Sequence, residues 1–337
     1  MNEHSDITSQ NAEEILAQAD DVCSALTRVN AEIGAAIFGQ EHVVEQALIT
    51  ILSGGHGLLV GVPGLAKTKL VETLGIVLGL DTGRVQFTPD LMPADILGSE
   101  VLEENESGAR AFRFIKGPVF AQLLMADEIN RASPRTQSAL LQAMQEGHVT
   151  IAGHHHALPQ PFHVLATQNP LEQEGTYPLP EAQLDRFLLQ INVGYPDRAS
   201  ERRILLETTG PQSHKPQPQL TQAELKSIQN FLLHVPVAQS VLDGILHLVR
   251  AARPDTPEAP DAIKASVAWG PGPRAGQALL VTARARALLQ GRLAPSLDDV
   301  IALAEPVLQH RMALSYSARA EGQDLHSLIG ELAQTLG

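Results

Sequence analysis

The sequence predicts an α/β domain with a parallel sheet covered on both faces, followed by an all-helical domain. Short apolar strand patterns alternate with amphipathic helical patterns as far as about residue 197. A glycine-containing loop connects the first of these strands to the helix that follows it. Beyond residue 197 the apolar residues recur only at helical spacing. These three observations define the fold class and divide the chain.

The first elements of the chain have clear periodicities. Apolar residues from Ile15 to Ile33 recur at alternating steps of four and three, which marks one face of a helix. A second amphipathic segment, 43–52, leads to an apolar run that ends at Val60. Further strands are predicted at residues 84–88, 120–126, 163–167 and 187–193.

Two hairpins interrupt this alternation of strands and helices. Residues 98–117 contain two apolar runs on either side of a turn-prone segment at 104–108, and residues 149–162 form the second hairpin. Between the hairpins, Ser133 caps a predicted helix that begins at Pro134 and ends at Gly147. We expect both hairpins to be insertions in the α/β domain.

The C-terminal part of the chain shows helical patterns only. A proline-rich stretch at 254–260 separates two groups of them. The predicted helices cover residues 223–233, 237–252, 273–290, 297–308 and 325–336.

The composition favours a protein of the cytoplasm. The 337 residues suffice for two domains, and the hydrophobic content of 44% supplies a sizeable core. A single cysteine, Cys23, excludes an intramolecular disulfide and indicates a reducing compartment. No secretory signal or membrane-spanning run is recognisable, so we expect no direct membrane insertion. A net charge of −14 disfavours non-specific nucleic-acid binding.

The loop between the first strand and its helix is typical of a phosphate-binding loop. Backbone N–H groups of such a loop and of the helix start converge on an anion, which the helix dipole also favours. Lys67 supplies a charge for the phosphates, and the Thr68 hydroxyl is a ligand for Mg²⁺. Alanine at position 66 replaces the glycine of the general pattern, at a steric cost if its φ is positive. The loop consists of Gly61, Val62, Pro63, Gly64, Leu65, Ala66, Lys67 and Thr68.

Carboxylates at the end of a buried strand form the second part of the predicted site. Asp127 and Glu128 follow the strand at 120–126, at the sheet edge where α/β proteins bind ligands. Asp127 is the expected second Mg²⁺ ligand, and Glu128 the expected general base that activates water. Asn169 closes another strand and offers an amide to that water or to the γ-phosphate. The alternative for Asn169 is a simple turn before Pro170.

Three stretches together resemble the MoxR family of AAA+ ATPases. They are the phosphate loop, residues 127–132 and residues 174–187, of which the last is the most specific. The resemblance extends over about residues 33–337. Alanine at position 66 is the usual residue in this family.

The resemblance implies a fold and a set of domains. The fold is a P-loop AAA+ three-layer core with a parallel sheet, followed by an all-α lid. An N-terminal helix or linker covers 1–36, the nucleotide-binding domain 37–197, and the lid 198–337. The two hairpins, near 98–117 and 149–162, correspond to inserts that face the central pore in related machines; the alternative is that they are only extra sheet edges.

The resemblance also assigns roles to single residues. The nucleotide-binding residues are Phe38, Gly39 and Gln40 near the adenine, and Gly61 to Lys69 at the phosphates. The catalytic residues are Lys67, Glu128, Asn169 as sensor 1, Arg186 as an arginine finger for the neighbouring subunit, and Arg274 as sensor 2.

Alternatives exist for these arginines. Arg186 can instead form a salt bridge with Asp185 or Glu181, and Arg274 can serve only in packing at the start of its helix. Arg131 is a further candidate for the site between subunits.

The implied activity is Mg²⁺-dependent ATP hydrolysis at the subunit interfaces of a hexameric ring. Its implied purpose is chaperone-like remodelling or activation of protein clients, which in the family are commonly ones with a von Willebrand factor A domain. One alternative is a nucleotide-regulated assembly switch with little turnover alone. A nucleic-acid motor is another, which the residues disfavour because 149–162 contains no Lys or Arg. The run His154, His155 and His156 is expected at an exposed hairpin tip rather than in a zinc site.

Overall fold

A computed structural model of the chain divides into two compact units. Unit 1 comprises Met1–Ala36 with His214–Gly337, and unit 2 comprises Ile37–Ser213. Most of the predicted turn at 104–108, and Glu174 of the family motif, lie outside the described part of the chain. The structure describes residues 3–104, 110–172, 175–208 and 214–336.

The elements alternate in the first two thirds of the chain and are mainly helical afterwards. The helices are α1 Glu3–Gly34, α2 Glu41–Leu52, α3 Lys67–Val77, α4 Pro93–Leu97, α5 Pro134–Glu146, α6 Glu181–Leu184, α7 Arg198–Thr208, α8 Gln222–Leu232, α9 Gln239–Ala251, α10 Asp261–Ser266, α11 Pro273–Leu289, α12 Leu297–Leu308, α13 Tyr316–Ala320 and α14 Leu325–Gln334. The strands are β1 Gly57–Val60, β2 Thr82–Gln86, β3 Gly98–Glu104, β4 Arg110–Lys116, β5 Leu123–Asp127, β6 His148–Ile151, β7 His154–Ala157, β8 His163–Gln168, β9 Leu189–Asn192, β10 Val267–Trp269 and β11 Ala313–Leu314.

A five-stranded parallel sheet forms the centre of unit 2, as the alternation of elements predicts. Its strand order is β2-β5-β8-β1-β9. Strand β5 pairs with β2 on one side and β8 on the other, with Gln86 opposite Asp127 and Ala126 opposite Ala166. Because the strands are parallel, the ends of β1, β5 and β8 meet at one edge.

The inner strands are buried because their residues are almost continuously apolar. The first four residues of β5 and the first five of β8 are buried. Phe87 and Phe187 are fully buried in the core around them. Helix α5 covers this core, and it begins where predicted: the Ser133 hydroxyl accepts from the Thr136 N–H at 3.4 Å, and Gly147 ends the helix with a φ of 67°.

The two predicted hairpins are present and contact each other. Strands β3 and β4 pair in one antiparallel ribbon, and β6 and β7 in the other. Phe114 of β4 stacks on His156 of β7, with ring centroids 3.9 Å apart and planes inclined by 21°. His154 follows the hairpin turn directly and is exposed, as is His155, which agrees with the expected exposed tip. His156, further along β7, is half-buried because Phe114 covers it.

Unit 1 combines the N-terminal helix with the C-terminal helices. Helix α1 packs against α11, and α12 packs against α9, α11 and α14. The carboxylate of Asp299 is fully buried between Arg286 at 2.7 Å and Arg292 at 2.6 Å. Strands β10 and β11 form a two-stranded antiparallel sheet that helical patterning does not predict, because they span only three and two residues.

Two helices group differently from the expected domain limits. Helix α1, expected as a separate segment, belongs to unit 1, and α7, expected in the lid, belongs to unit 2. Contacts in unit 2 explain the second case: the Arg203 guanidinium lies 4.2 Å from the Phe38 ring centroid, and a Cβ on Gly39 would approach Ser200 within 2.3 Å. Among the described residues, no helix is long and apolar enough to span a bilayer.

Two histidines, the half-buried His56 and the buried His163, lie where strands β1 and β8 begin. The Nδ1 atom of His56 accepts from the Val164 N–H at 3.0 Å, and its Nε2–H donates to the carbonyl of Met144 at 3.2 Å. His163 donates through Nδ1 to the carbonyl of Gly55 at 2.9 Å. Burial, and then the neighbouring His163, lowers the pKa of His56 to about 3. Burial lowers the pKa of His163 to about 4.

These histidines predict an acid-labile unit 2. Their folded pKa values lie below 6.5, so the unfolded chain binds their protons first and stability falls as the pH drops from about 7 towards 4. At pH 5 each histidine should lower the free energy of unfolding by about 2 kcal/mol relative to neutral pH. Replacing His163 with Asn removes the titrating group but retains a donor for the carbonyl of Gly55. In urea unfolding, the free energy of unfolding of this variant should fall by about 2 kcal/mol less between pH 7.5 and pH 5.0 than that of the wild type.

The control for this measurement is His154→Asn, on an exposed position of β7. It should leave the difference between the two pH values as in the wild-type chain. A His163→Asn chain whose stability falls with pH as steeply as that of the wild type would contradict the assignment.

Candidate active site

One cavity at the carboxyl edge of the sheet brings together residues from three separate parts of the chain. Its volume is about 390 Å³. The sequence singled out every lining residue except Thr167. The lining residues are Pro63, Gly64, Ala66, Lys67, Thr68, Lys69, Asp127, Glu128, Thr167 and Asn169.

The loop that follows β1 has the backbone of an anion-binding turn. Ala66 caps α3 with a φ of 56°, so the alanine adopts the left-handed conformation that glycine would adopt at lower cost. Gly61 is required by close approach, since a Cβ there would lie 2.5 Å from the carbonyl oxygen of Val193. Because the loop runs directly into α3, its N–H groups and the helix start face the same region.

Lys67 is the first residue of α3 and its ammonium group lies against its own loop. Its Nζ donates to the carbonyl of Gly61 and, at 3.3 Å, to that of Val62. Desolvation lowers the pKa of Lys67, while the charges of Asp127 and Glu128 oppose that shift. The loop carbonyls therefore hold the cation beside the two carboxylates.

Donors from both neighbouring strands hold the carboxylate of Asp127. Arg84 of β2 donates to Oδ2 at 2.7 Å. The Thr167 hydroxyl of β8 donates to Oδ1 at 2.6 Å. The side chain of Asp127 is only 14% exposed, whereas that of Arg84 is 52% exposed.

Glu128 lies at the point where the chain turns away from β5. Its φ is 54°, and its backbone N–H donates to the Thr167 hydroxyl at 2.8 Å. Its Oε2 accepts from Gln86 at 2.7 Å and from Arg131 at 2.9 Å. The hydrogen bond to Glu128 raises the pKa of Arg131. Arg131, a candidate for a site between subunits, is thus paired with the predicted base of its own chain.

Asn169 lines the cavity and also forms the turn that the sequence allows as the alternative. It is 5% exposed and lines the cavity. Its Oδ1 also accepts from the Leu171 N–H at 3.1 Å, which is the bond of an Asn-Pro turn. The turn therefore fixes the side chain that the cavity uses.

The segment expected near the adenine precedes α2 and lies against α7 and the residues that follow β9. Gln40 is 6% exposed, and its Nε2 donates to the carbonyl of Gly194 at 2.8 Å. Gly39 has a φ of 68°. Phe38, Gly39 and Gln40 are not among the lining residues of the phosphate cavity, and neither are Gly61, Val62 or Leu65 of the loop.

The two remaining predicted arginines lie outside this cavity. Arg186 follows α6 and is half-buried; its backbone N–H donates to the carbonyl of Gln183 at 3.2 Å. Arg274 is the exposed second residue of α11 in unit 1.

Sequence reasoning missed three polar side chains around the carboxylates: Arg84, Gln86 and Thr167. All three come from strands that flank β5. The available signal was alternation in β2, where Arg84 and Gln86 are exposed on either side of the buried Val85. Their partners depend on the strand order, which no local pattern contains.

Comparisons with known proteins agree with this geometry. Residues 56–189 match the ATPase family associated with various cellular activities (AAA), and residues 260–331 match the AAA lid domain. The chain is 43% identical to Chaperone MoxR1 of Mycobacterium tuberculosis, over 92% of this chain and 81% of that protein. It is 32% identical to Protein MoxR of Paracoccus denitrificans, over 86% and 90%.

A solved structure extends the likeness to three dimensions. A candidate ATPase from Cytophaga hutchinsonii superimposes with a TM-score of 0.88 at 37% sequence identity, covering 97% of this chain and 98% of that one. With sequence matches that cover most of both proteins, and with the core and lid each matched, this chain belongs to the MoxR family of AAA+ ATPases.

Proposed function

We propose that the chain hydrolyses ATP with Glu128 as general base, at the subunit interfaces of a homo-oligomeric ring, and thereby remodels or activates protein clients. The observation that carries this proposal is the convergence of Lys67, Thr68, Asp127, Glu128 and Asn169 on one cavity. Together they supply a cation for phosphate, oxygen ligands for a metal, a base and an amide donor.

The donor set suits Mg²⁺. The hydroxyl of Thr68 and the carboxylate of Asp127 line the same cavity, and hard oxygen ligands are those that Mg²⁺ prefers. When bound with ATP, Mg²⁺ supplies positive charge that neutralises the phosphate oxygens. Thr68 and Asp127 are therefore the residues that would hold it.

The other catalytic roles fall to residues of the chain itself. The loop N–H groups and Lys67 bind the β- and γ-phosphates, while Glu128 takes the proton of the attacking water. Asn169 orients that water without adding charge. An arginine from the neighbouring subunit, for which Arg186 is the candidate, stabilises charge on the transferred phosphoryl group.

A nucleotide-regulated switch is the second candidate function. The carboxylate of Glu128 is engaged by Gln86 and Arg131, and a general base has to be released from such contacts before it can accept a proton. This arrangement supports slow turnover until a ring or a client rearranges these contacts.

Charge pairing in the first hairpin supports a protein client over a nucleic acid. Arg113 is paired with Glu103 at 3.2 Å, and Arg110 with Glu104 at 3.2 Å. Basic groups that are already paired attract phosphate weakly. The relative Chaperone MoxR1 is by its name a chaperone, which supports a role directed at protein clients. A hexameric ring, clients with a von Willebrand factor A domain and a cytoplasmic location remain proposals.

The first test is the ATPase rate per subunit as a function of protein concentration with Mg²⁺, with assembly followed by light scattering. Shared catalysis predicts a rate per subunit that climbs as the ring assembles. A rate independent of concentration, or binding of ATP without turnover, would instead support the switch.

Glu128→Gln tests the general base. The variant should bind ATP as the wild type does, while hydrolysis should fall by about 10²- to 10⁴-fold because the amide cannot accept a proton. Steady-state phosphate release and equilibrium nucleotide binding measure the two effects. Glu146→Gln, at the end of α5, is the matched control and should retain wild-type turnover. Equal hydrolysis by Glu128→Gln and wild type would remove Glu128 from this role.

Arg186→Ala tests catalysis between subunits. It should lower hydrolysis at least about tenfold without weakening nucleotide binding, because the finger contacts the neighbour's ATP. Mixing it with Lys67→Ala subunits should restore part of the activity, since each variant then supplies what the other lacks. Arg135→Ala, an exposed arginine on α5, is the control. Absence of restoration in mixed rings would count against a finger acting in trans.

A further inference from the structure

The two partners of the Asp127 carboxylate differ in how easily they can leave it. Thr167 is 1% exposed and its hydroxyl also accepts from the Glu128 N–H at 2.8 Å, so it is fixed in the core. Arg84 stands on the edge strand β2 with 52% of its side chain exposed. A half-exposed guanidinium can move into water at little cost, because solvent replaces most of its interaction with the carboxylate.

We propose that Arg84 is a counter-ion that competes with Mg²⁺ for the carboxylate of Asp127. Arg84 thereby sets the Mg²⁺ concentration at which the site accepts the metal–nucleotide complex. The inference rests on the proposed function, in which Asp127 is a metal ligand. It adds a residue that acts through Asp127 and that no motif of the sequence identifies.

The geometry favours competition over positioning. A residue that merely orients Asp127 would be redundant, because Thr167 of β8, itself 1% exposed, already fixes Oδ1 at 2.6 Å. Arg84 approaches Oδ2 at 2.7 Å from the strand on the other side and is not among the lining residues of the cavity. It therefore adds positive charge to the carboxylate without filling the space beside it.

Charge leads to the same conclusion. A carboxylate paired with a guanidinium attracts a cation less than a carboxylate without one, since the two positive charges repel each other. The apparent affinity for the metal equals the intrinsic affinity multiplied by the fraction of molecules in which Arg84 has left Asp127. Arg84 thus makes the site take the metal together with the phosphates of the nucleotide, which bring the charge that a paired Asp127 lacks.

The test is a Mg²⁺ titration of nucleotide binding, read by the fluorescence of a mant-labelled, hydrolysis-resistant ATP analogue. In Arg84→Gln, the Mg²⁺ concentration at half-maximal enhancement of binding should fall by about three- to tenfold, as for removal of a partly exposed competitor. Affinity in excess EDTA should change by less than about twofold, since no metal is then bound. The Mg²⁺ midpoint of Arg84→Lys, which retains the charge, should lie between those of Arg84→Gln and the wild type.

The controls separate the effect of Arg84 from a change in net charge. Arg113→Gln removes one exposed, paired arginine from the first hairpin and should leave the midpoint unchanged. In an Asp127→Asn background, Arg84→Gln should have no effect, because the group for which the two cations compete is gone.

Two results would overturn the inference. An unchanged midpoint in Arg84→Gln would mean that the ion pair does not oppose the metal. A raised midpoint would make Arg84 a residue that positions Asp127 for it. Failure of the proposed function looks different: the wild-type chain would then bind the analogue equally with and without Mg²⁺, or not at all.

Discussion

The position of β5 between β2 and β8 is the constraint on which the candidate site depends. Parallel pairing places Gln86 opposite Asp127, and Thr167 one residue beyond the paired Ala126 and Ala166. Polar side chains from three strands therefore stand in one row at the carboxyl edge. Because side chains alternate along a strand, a slip of one residue in either pairing would turn these groups to the opposite face. Such a slip would also separate Asp127 from Arg84 and Thr167, which donate to its two carboxylate oxygens.

The row of polar groups explains how two adjacent carboxylates coexist at a partly buried edge. Asp127 is paired with Arg84, and Glu128 is paired with Arg131. Lys67 is held by loop carbonyls, so its charge stays near both acids without bonding to either within the hydrogen bonds described. Arg84 and Arg131 balance the two acids from side chains that are 52% and 41% exposed, so water can replace much of either interaction at low cost.

The sequence predicts those features that arise between residues close together in the chain, and misses those that join distant residues. The phosphate loop, the strand before Asp127 and helix α5 follow from local patterns of apolar residues, caps and glycine. Helices such as α4 and α6 and the β10–β11 pair are too short to show a period. Arg84 and Thr167 could not be placed at Asp127, because their contact arises only from the order of strands. A histidine run likewise gave no sign that Phe114 would cover one member.

The same strands connect the site to the hairpins. The β3–β4 ribbon enters β5 through a short turn at Pro118–Phe120, and the β6–β7 ribbon leads into β8. Both ribbons are thus attached to the two strands that carry Asp127 and Thr167, and the Phe114–His156 stack joins them. A rearrangement that moves β5 relative to β8 must either break this stack or move both hairpins together. Since stacked rings resist separation, joint movement of the two hairpins is the less costly response.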